Sequence, residues 1–156
     1  MSAPALDKFD RMILVLLQRD NLITTEKLGE SVGLSSSAVQ RRIKRLRESG
    51  VIVRDSAVLD AKAVGRPLTV IVAVAVERET NEVVEAFRRR ALAADEVQQC
   101  YYVTGEGDFL LVITARSMDE YQDIARRLFL EDPNVRHFST SVVIEPLKTT
   151  LDVPLP

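Results

Sequence analysis

The apolar residues of this 156-residue chain change their period once, near Leu68. Before that point they recur at i, i+3, i+4 and i+7, the spacing of helices with one packed face. From Leu68 onward they gather into short β-branched runs separated by two further helical stretches. The switch predicts two units of different construction, a small helical one followed by a mixed one. Hydrophobic residues make up 46% of the chain and charged residues 28%, enough for packed cores and too apolar for a mainly disordered state.

The helical part reads as three helices. In residues 6–18, Leu6, Phe9, Ile13, Leu16 and Leu17 share a face, with Asp7 and Asp10 near the start, where the helix dipole favours them. Asp20 and Asn21 break this helix. Thr24 or Thr25 can cap a second one, residues 25–32, which carries Leu28 and Val32 inward and ends at Gly33. The third lies within residues 34–50, LSSSAVQRRIKRLRESG, with Ser35 as N-cap and Gly50 just past the end. Val39, Ile43 and Leu46 form its stripe. Ser37, Gln40, Arg41, Lys44 and Arg45 lie opposite, and Arg42 and Arg47 flank the stripe.

Two short helices joined by a glycine-containing turn make a helix-turn-helix pattern. A basic helical face is ordinarily just solvated. Here a bracing helix and the tight turn beside it favour DNA recognition. In that reading Arg41, Arg42, Lys44, Arg45 and Arg47 supply charge for phosphates, and Ser36, Ser37, Gln40 and Arg41 reach base edges. Residues 51–59, VIVRDSAVL, are β-rich and read as a short strand or wing. The first domain is therefore residues 1–60. Residues 61–67, with Gly65 and Pro67, are the expected hinge.

Residues 68–148 order themselves β-α-β-β-α-β, the ferredoxin-like arrangement, and residues 149–156 form a tail. Thr80 caps the first helix, which carries Val83, Val84, Phe87 and Ala91 inward. Arg88, Arg89 and Arg90 on its other side offer a second DNA contact, with a solvated face as the better default. Gly105, Glu106 and Gly107 link two strands as a hairpin, and Ser117 to Glu120 is a capping box opening the second helix, with Tyr121, Ile124, Leu128 and Phe129 inward. The fold class is thus α+β, an N-terminal winged helix-turn-helix domain joined to a C-terminal ferredoxin-like βαββαβ domain. Strands such as residues 109–113, FLLVI, are apolar without alternation. A sheet apolar on both faces needs cover on both, and a second subunit is the economical cover. A homodimer through the C-terminal sheet is expected, presenting two recognition helices to two half-sites.

The overall charge of −2 conceals an asymmetry. Residues 1–65 hold 11 Lys/Arg against 8 Asp/Glu, and residues 66–156 hold 10 against 15. A basic part joined to an acidic part suggests two tasks. One Cys, Cys100, and one His, His137, exclude an internal disulfide and a Cys/His zinc cluster, so no metal site is expected. With no phosphate-binding loop either, an enzyme has little to work with. The first residues lack a basic stretch followed by an apolar one, and no apolar run approaches the ~20 residues of a membrane span. A cytoplasmic, membrane-free protein is expected.

Taken together, LDKFDRMILVLLQRD, GLSSSAVQRRIKRLRESGVI and YYVTGEGDFLLVI, in this order and spacing, resemble the Lrp/AsnC (feast/famine) family of prokaryotic transcriptional regulators from residue 6 to about residue 148. The resemblance implies a sequence-specific regulator that binds double-stranded DNA, pairs through its C-terminal domain and assembles further, often to an octamer. It also implies a small-molecule effector, commonly an amino acid, at subunit interfaces, with no other cofactor. The family's G-x-x-D turn matches Gly105, Glu106, Gly107 and Asp108, and Thr140 and Ser141 on the last strand are further pocket positions by the same resemblance. Backbone N–H groups of such a turn suit an α-carboxylate, and Asp108 suits an α-ammonium. Hairpin chemistry alone also explains the glycines. The rival readings are an architectural DNA-binding protein without an effector, an enzyme, and a sensor acting on a protein partner.

Overall fold

The computed structural model describes residues 5–78, 80–105 and 107–155. The chain divides into two compact units: residues up to Val58 together with those from Thr149 onward, and Leu59–Lys148.

The first unit holds α1 (Lys8–Arg19), α2 (Thr25–Val32) and α3 (Ser36–Glu48). Each helix starts on a side-chain cap, Asp7, Thr24 and Ser35 respectively. At α1 the cap is reciprocal: Asp10 N–H donates to Asp7 Oδ1 at 2.8 Å and Asp7 N–H donates to Asp10 Oδ2 at 3.1 Å. Ile13, Leu28, Val32, Val39 and Ile43 form one buried cluster, joined at its edge by Met12, Leu16, Leu17, Ile23, Leu34 and Ile52. Each such side chain, fully buried, contributes about 1.5–3 kcal/mol. Gly33 closes α2 in the left-handed region, and the N–H groups of Gly33 and Leu34 both donate to Gly29 O. That doubling back brings the Leu34 carbonyl to 2.5 Å from where a Cβ on Gly29 would stand. The tight turn between α2 and α3 therefore needs glycine inside α2 as well as after it.

One expectation changes in this unit. Residues 51–59 form no strand; Val53, Val58 and Leu59 are exposed, and no described segment pairs with them. Extended β-rich sequence becomes a strand only when another strand satisfies its backbone. The tail also has a seat. Gln18 receives the Val153 N–H on Oε1 and donates from Nε2 to the Val153 carbonyl, and Leu155 helps line a cavity of about 440 Å³ beside Met12, Val15 and Leu16.

The second unit runs β1 (Leu68–Val76), α4 (Asn81–Ala93), β2 (Val97–Tyr102), β3 (Phe109–Ala115), α5 (Met118–Ala125), a π-helical turn (Arg126–Leu130) and β4 (Val135–Val142). The strands make one antiparallel sheet in the order β2-β3-β1-β4. Val70, Val72, Val74, Phe109, Leu111 and Ile113 face the helices and meet Phe87, Ala91, Tyr121, Ile124, Leu128 and Phe129 in a single core. The π turn lets two adjacent residues, Leu128 and Phe129, both bury: Glu131 N–H reaches back five residues to Arg126 O, which widens the helix at that point. The opposite sheet face carries Gln99, Tyr101, Leu110, Val112, Ile71 and Ala73, matched across strands by register, with Ile71 and Tyr101 exposed and the others half-buried.

The stretch expected as a hinge is fastened to this second unit. Asp60 accepts the N–H groups of Lys62 and Ala63, and Arg66 donates to the Thr114 carbonyl at 2.6 Å and lies 3.6 Å from Glu120. No described helix is long and apolar enough to cross a membrane. No described group of His, Cys, Asp and Glu could hold a metal ion.

Candidate nucleic-acid interface and effector turn

Helix α3 owes its position to its apolar stripe. Val39, Ile43 and Leu46 are buried, so the positions between them must face outward or sideways. Ser37, Gln40, Arg41, Lys44, Arg45 and Arg47 are exposed; Ser36 and Arg42 are half-buried. At the N-terminal end, Ser36 is tied to α2: its hydroxyl is 2.7 Å from that of Thr25 and 3.2 Å from Glu26 Oε1. Glu26 is held below the usual carboxylate range by its own backbone N–H and then by hydroxyl donors, Thr24 and Ser36 among them. Ser37 shares a hydroxyl contact of 3.2 Å with the cap residue Ser35. Gln40 and Arg41 stand clear on the outer face, and Arg41 edges a cleft of about 300 Å³ with Leu34, Ala38, Arg42 and Arg45.

The cations divide in a way the helical wheel does not show. Arg42 Nη1 donates to Asp7 Oδ2 at 2.6 Å and to Asp10 Oδ1 at 2.9 Å, and its guanidinium lies 5.4 Å over the Phe9 ring. These two hydrogen bonds, Asp7 first, raise its pKa further. Arg42 thus joins α3 to α1, with its guanidinium engaged by Asp7 and Asp10. Ser36 likewise joins α3 to α2 through Thr25 and Glu26. Arg45 donates to Asp10 Oδ2 at 2.5 Å, although its side chain is 56% exposed. Lys44 lies 3.8 Å from Glu48, and Arg47 donates to Asp55 at 3.1 Å. Among the described residues, Arg41 is the α3 cation with no ion pair within 4 Å. The run on α4 is largely paired within its own unit, Arg88 with Glu85 and Arg90 with Asp132.

The second candidate site is the link between β2 and β3. Gly105 has φ +144, a conformation that L side chains rarely adopt, and a Cβ on Gly107 would stand 3.3 Å from the Val74 carbonyl. Asp108 anchors the link to the end of β1: its N–H donates to Val74 O at 2.8 Å, and its Oδ2 accepts the Val76 N–H at 2.7 Å. The β1–β4 register slips between Ala75 and Val76, so Asp108 serves the ladder where β1 becomes irregular. One carboxylate oxygen of Asp108 is therefore engaged in the fold. Glu106 lies outside the described residues. Thr140 and Ser141 do not converge, because they alternate along β4. Thr140 sits opposite Val72 and its hydroxyl is 2.5 Å from that of Tyr121, on the helix-covered side; Ser141 pairs with Ile71 on the other face. Burial raises the Tyr121 pKa, and the Thr140 hydrogen bond opposes that.

Asp10, which holds two α3 arginines, and Gly29, which permits the turn, are functional supports that the sequence reading missed. Asp10 had a signal in its spacing from Asp7, read only as dipole complementation.

The family model described as Lrp/AsnC ligand binding domain matches residues 69–153, and that described as winged helix-turn-helix DNA-binding matches residues 6–53. A protein of Sinorhizobium fredii described as an uncharacterized HTH-type transcriptional regulator is 44% identical over 98% of this chain and 90% of its own length. The leucine-responsive regulatory protein of Haemophilus influenzae is 37% identical over 94% of this chain and 88% of its own. Among solved structures, a transcriptional regulator of Neisseria meningitidis in complex with L-Met superposes with a TM-score of 0.90 at 30% identity, covering 96% of this chain and 97% of that one. An AsnC family regulator of Agrobacterium tumefaciens gives 0.89, also at 30% identity, with the same coverage of each. These relatives are transcriptional regulators, not enzymes. With a helix-turn-helix unit and a ferredoxin-like sheet unit each matched in place, the chain belongs to the Lrp/AsnC family of DNA-binding transcriptional regulators.

Proposed function

We propose that the chain reads specific DNA sequences with the outer face of α3 and that an amino acid or related small metabolite, bound in the C-terminal unit at subunit interfaces, controls that reading. The observation that carries the DNA half is the pair Gln40 and Arg41, exposed side by side near the N-terminal end of a helix whose stripe is buried. Gln pairs bidentately with adenine and Arg with guanine, each giving about 1–3 kcal/mol of discrimination. Ser37 is a third reader. Lys44 and Arg47 are phosphate contacts in this reading, with Arg42 and Arg45 held against α1 by Asp10. The effector half draws support from the relatives: one is named for its response to leucine and another was solved with L-Met.

The unit of function is a homodimer formed through the open sheet face, assembling further towards an octamer and working on the chromosome in the cytoplasm. Half-buried Leu110 and Val112 and exposed Ile71 and Tyr101 favour a partner on that face. The effector contacts fall to the turn at Gly105, Glu106 and Gly107, with Asp108 shaping it and Ser141 closer to a pairing face than Thr140.

An architectural role without an effector is the second reading, favoured by the engagement of Asp108 with Val76. Mobility shifts separate the two. The probe is a duplex selected by the protein from a randomised library, run with and without each standard amino acid. The proposed reading expects at least one amino acid to change the shift or the size of the complex, with a coupling of about 1–3 kcal/mol. No change with any of them would leave the architectural reading.

A further inference from the structure

We infer that Asp10 is a positioning residue for DNA reading: it holds Arg42 and Arg45 against α1, and so sets the aim of α3 and withholds both guanidinium groups from indiscriminate phosphate binding. The inference rests on the reading that α3 lies on DNA.

Asp10 is fully buried, the single buried charged residue among the described residues. A buried carboxylate is tolerated only with donors around it. Asp10 has three. Oδ1 accepts from Arg42 at 2.9 Å; Oδ2 accepts from Arg45 at 2.5 Å and from the Asp7 N–H at 3.1 Å. Arg42 is fixed further by Asp7 and by the Phe9 ring. Buried ion networks seldom stabilise more than well-packed apolar residues would. What this one provides is geometry. Positions 42 and 45 are three apart and lie on one side of α3. A single carboxylate on α1 gripping both fixes the rotation of α3 about its own axis, and with it the direction of Gln40 and Arg41.

The second consequence is electrostatic. Asp7 and Asp10 against Arg42 and Arg45 sum to zero, so the basic look of α3 overstates its field. Sequence-independent affinity grows with the number of phosphates neutralised, whereas specificity is the ratio of specific to random binding. Removing two cations from the phosphate-facing set lowers the random term while Gln40 and Arg41 remain exposed.

Salt titration tests this, using the full chain, the selected duplex and a scrambled duplex of the same length. Asp10→Asn keeps the shape and an acceptor for the Asp7 N–H but drops the charge. Binding to scrambled DNA should strengthen several-fold at low salt. The slope of log K against log salt should steepen by about 1–2, since each added phosphate contact contributes ~0.9. Discrimination should fall. Adding Arg45→Ala to Asp10→Asn should bring the slope back towards wild type. An unchanged slope in Asp10→Asn, or parallel weakening on both duplexes, overturns the proposal, because a merely structural role would weaken both without steepening either. Arg45→Ala alone guards against a poorly folded Asp10 variant. It leaves Arg42 on Asp10 and should leave the scrambled-DNA slope as in wild type; a slope shallower by about 0.9 would put Arg45 on a phosphate already and overturn the proposal. If wild type itself fails to prefer the selected duplex, the assignment of α3 as reader fails, and this proposal with it. Discrimination by wild type with no slope change in Asp10→Asn removes this proposal alone.

Discussion

Asp7 and Gly29 show how much single positions decide here. The Asp7 carboxyl is held below its ordinary value, first by the Asp10 N–H and then by Arg42. A depressed carboxyl contributes its full stabilisation above the unfolded pKa, about 3.9, and loses it as pH falls through the lower folded value. The gap in urea midpoint between wild type and Asp7→Asn should therefore be largest near neutral pH and shrink below about pH 4. A gap constant down to that range would mean Asp7 acts through packing instead. Gly29 makes a sharper case. Its missing Cβ leaves room for the Leu34 carbonyl, a backbone atom that cannot swing aside. Gly29→Ala should destabilise the helical unit by about 1–3 kcal/mol, read by urea denaturation followed at the helical signal. A change within a few tenths would mean the turn relaxes freely. At this scale the sequence was only partly legible. The stripe of Val39, Ile43 and Leu46 and the caps at Thr24 and Ser35 followed from spacing. The capture of Arg42 and Arg45 by Asp10 did not, because it joins residues 32 and 35 positions apart.

Elements followed from period and caps where their partners lie inside the chain. The four strands and the helices between them were readable because each has its complement within one unit. A strand within residues 51–59 did not form, since a strand is defined by what it pairs with and no described strand lies beside them. The second helix of the sheet unit continues into a π turn, a local widening that lets Leu128 and Phe129 both turn inward. The β2–β3 link read as a hairpin and as a candidate ligand turn, and its attachment to β1 became visible only with the register. Asp108 is the test of that attachment. Asp108→Ala leaves the Val76 N–H without its acceptor and should destabilise the sheet unit by about 1–3 kcal/mol. Asp108→Asn, which keeps an acceptor oxygen, should recover most of that. Equal loss in both would point to the charge.

At the scale of the whole molecule, the sheet unit ends in an apolar face and the helical unit in a polar one. In the proposed reading the first meets a partner subunit and the second DNA. Placing a carboxylate at the centre of the open face should break the pairing: Ile71→Glu is expected to sediment as a smaller species than wild type and to bind a two-half-site duplex far more weakly. An unchanged sedimentation coefficient would move the dimer contact elsewhere. Domain order and family were legible from three motifs in sequence, whereas the ion pairs that tie Arg42 and Arg45 to α1 were not. In the proposed reading Arg41 is the pivotal side chain: exposed, with no ion pair among the described residues, and next to Gln40. The most direct test of the account is the affinity ratio of Arg41→Ala for the selected duplex over the scrambled one. A fall in that ratio equivalent to about 1–3 kcal/mol, with folding unchanged, is the predicted result; equal loss on both duplexes would contradict the claim that this face of α3 reads bases.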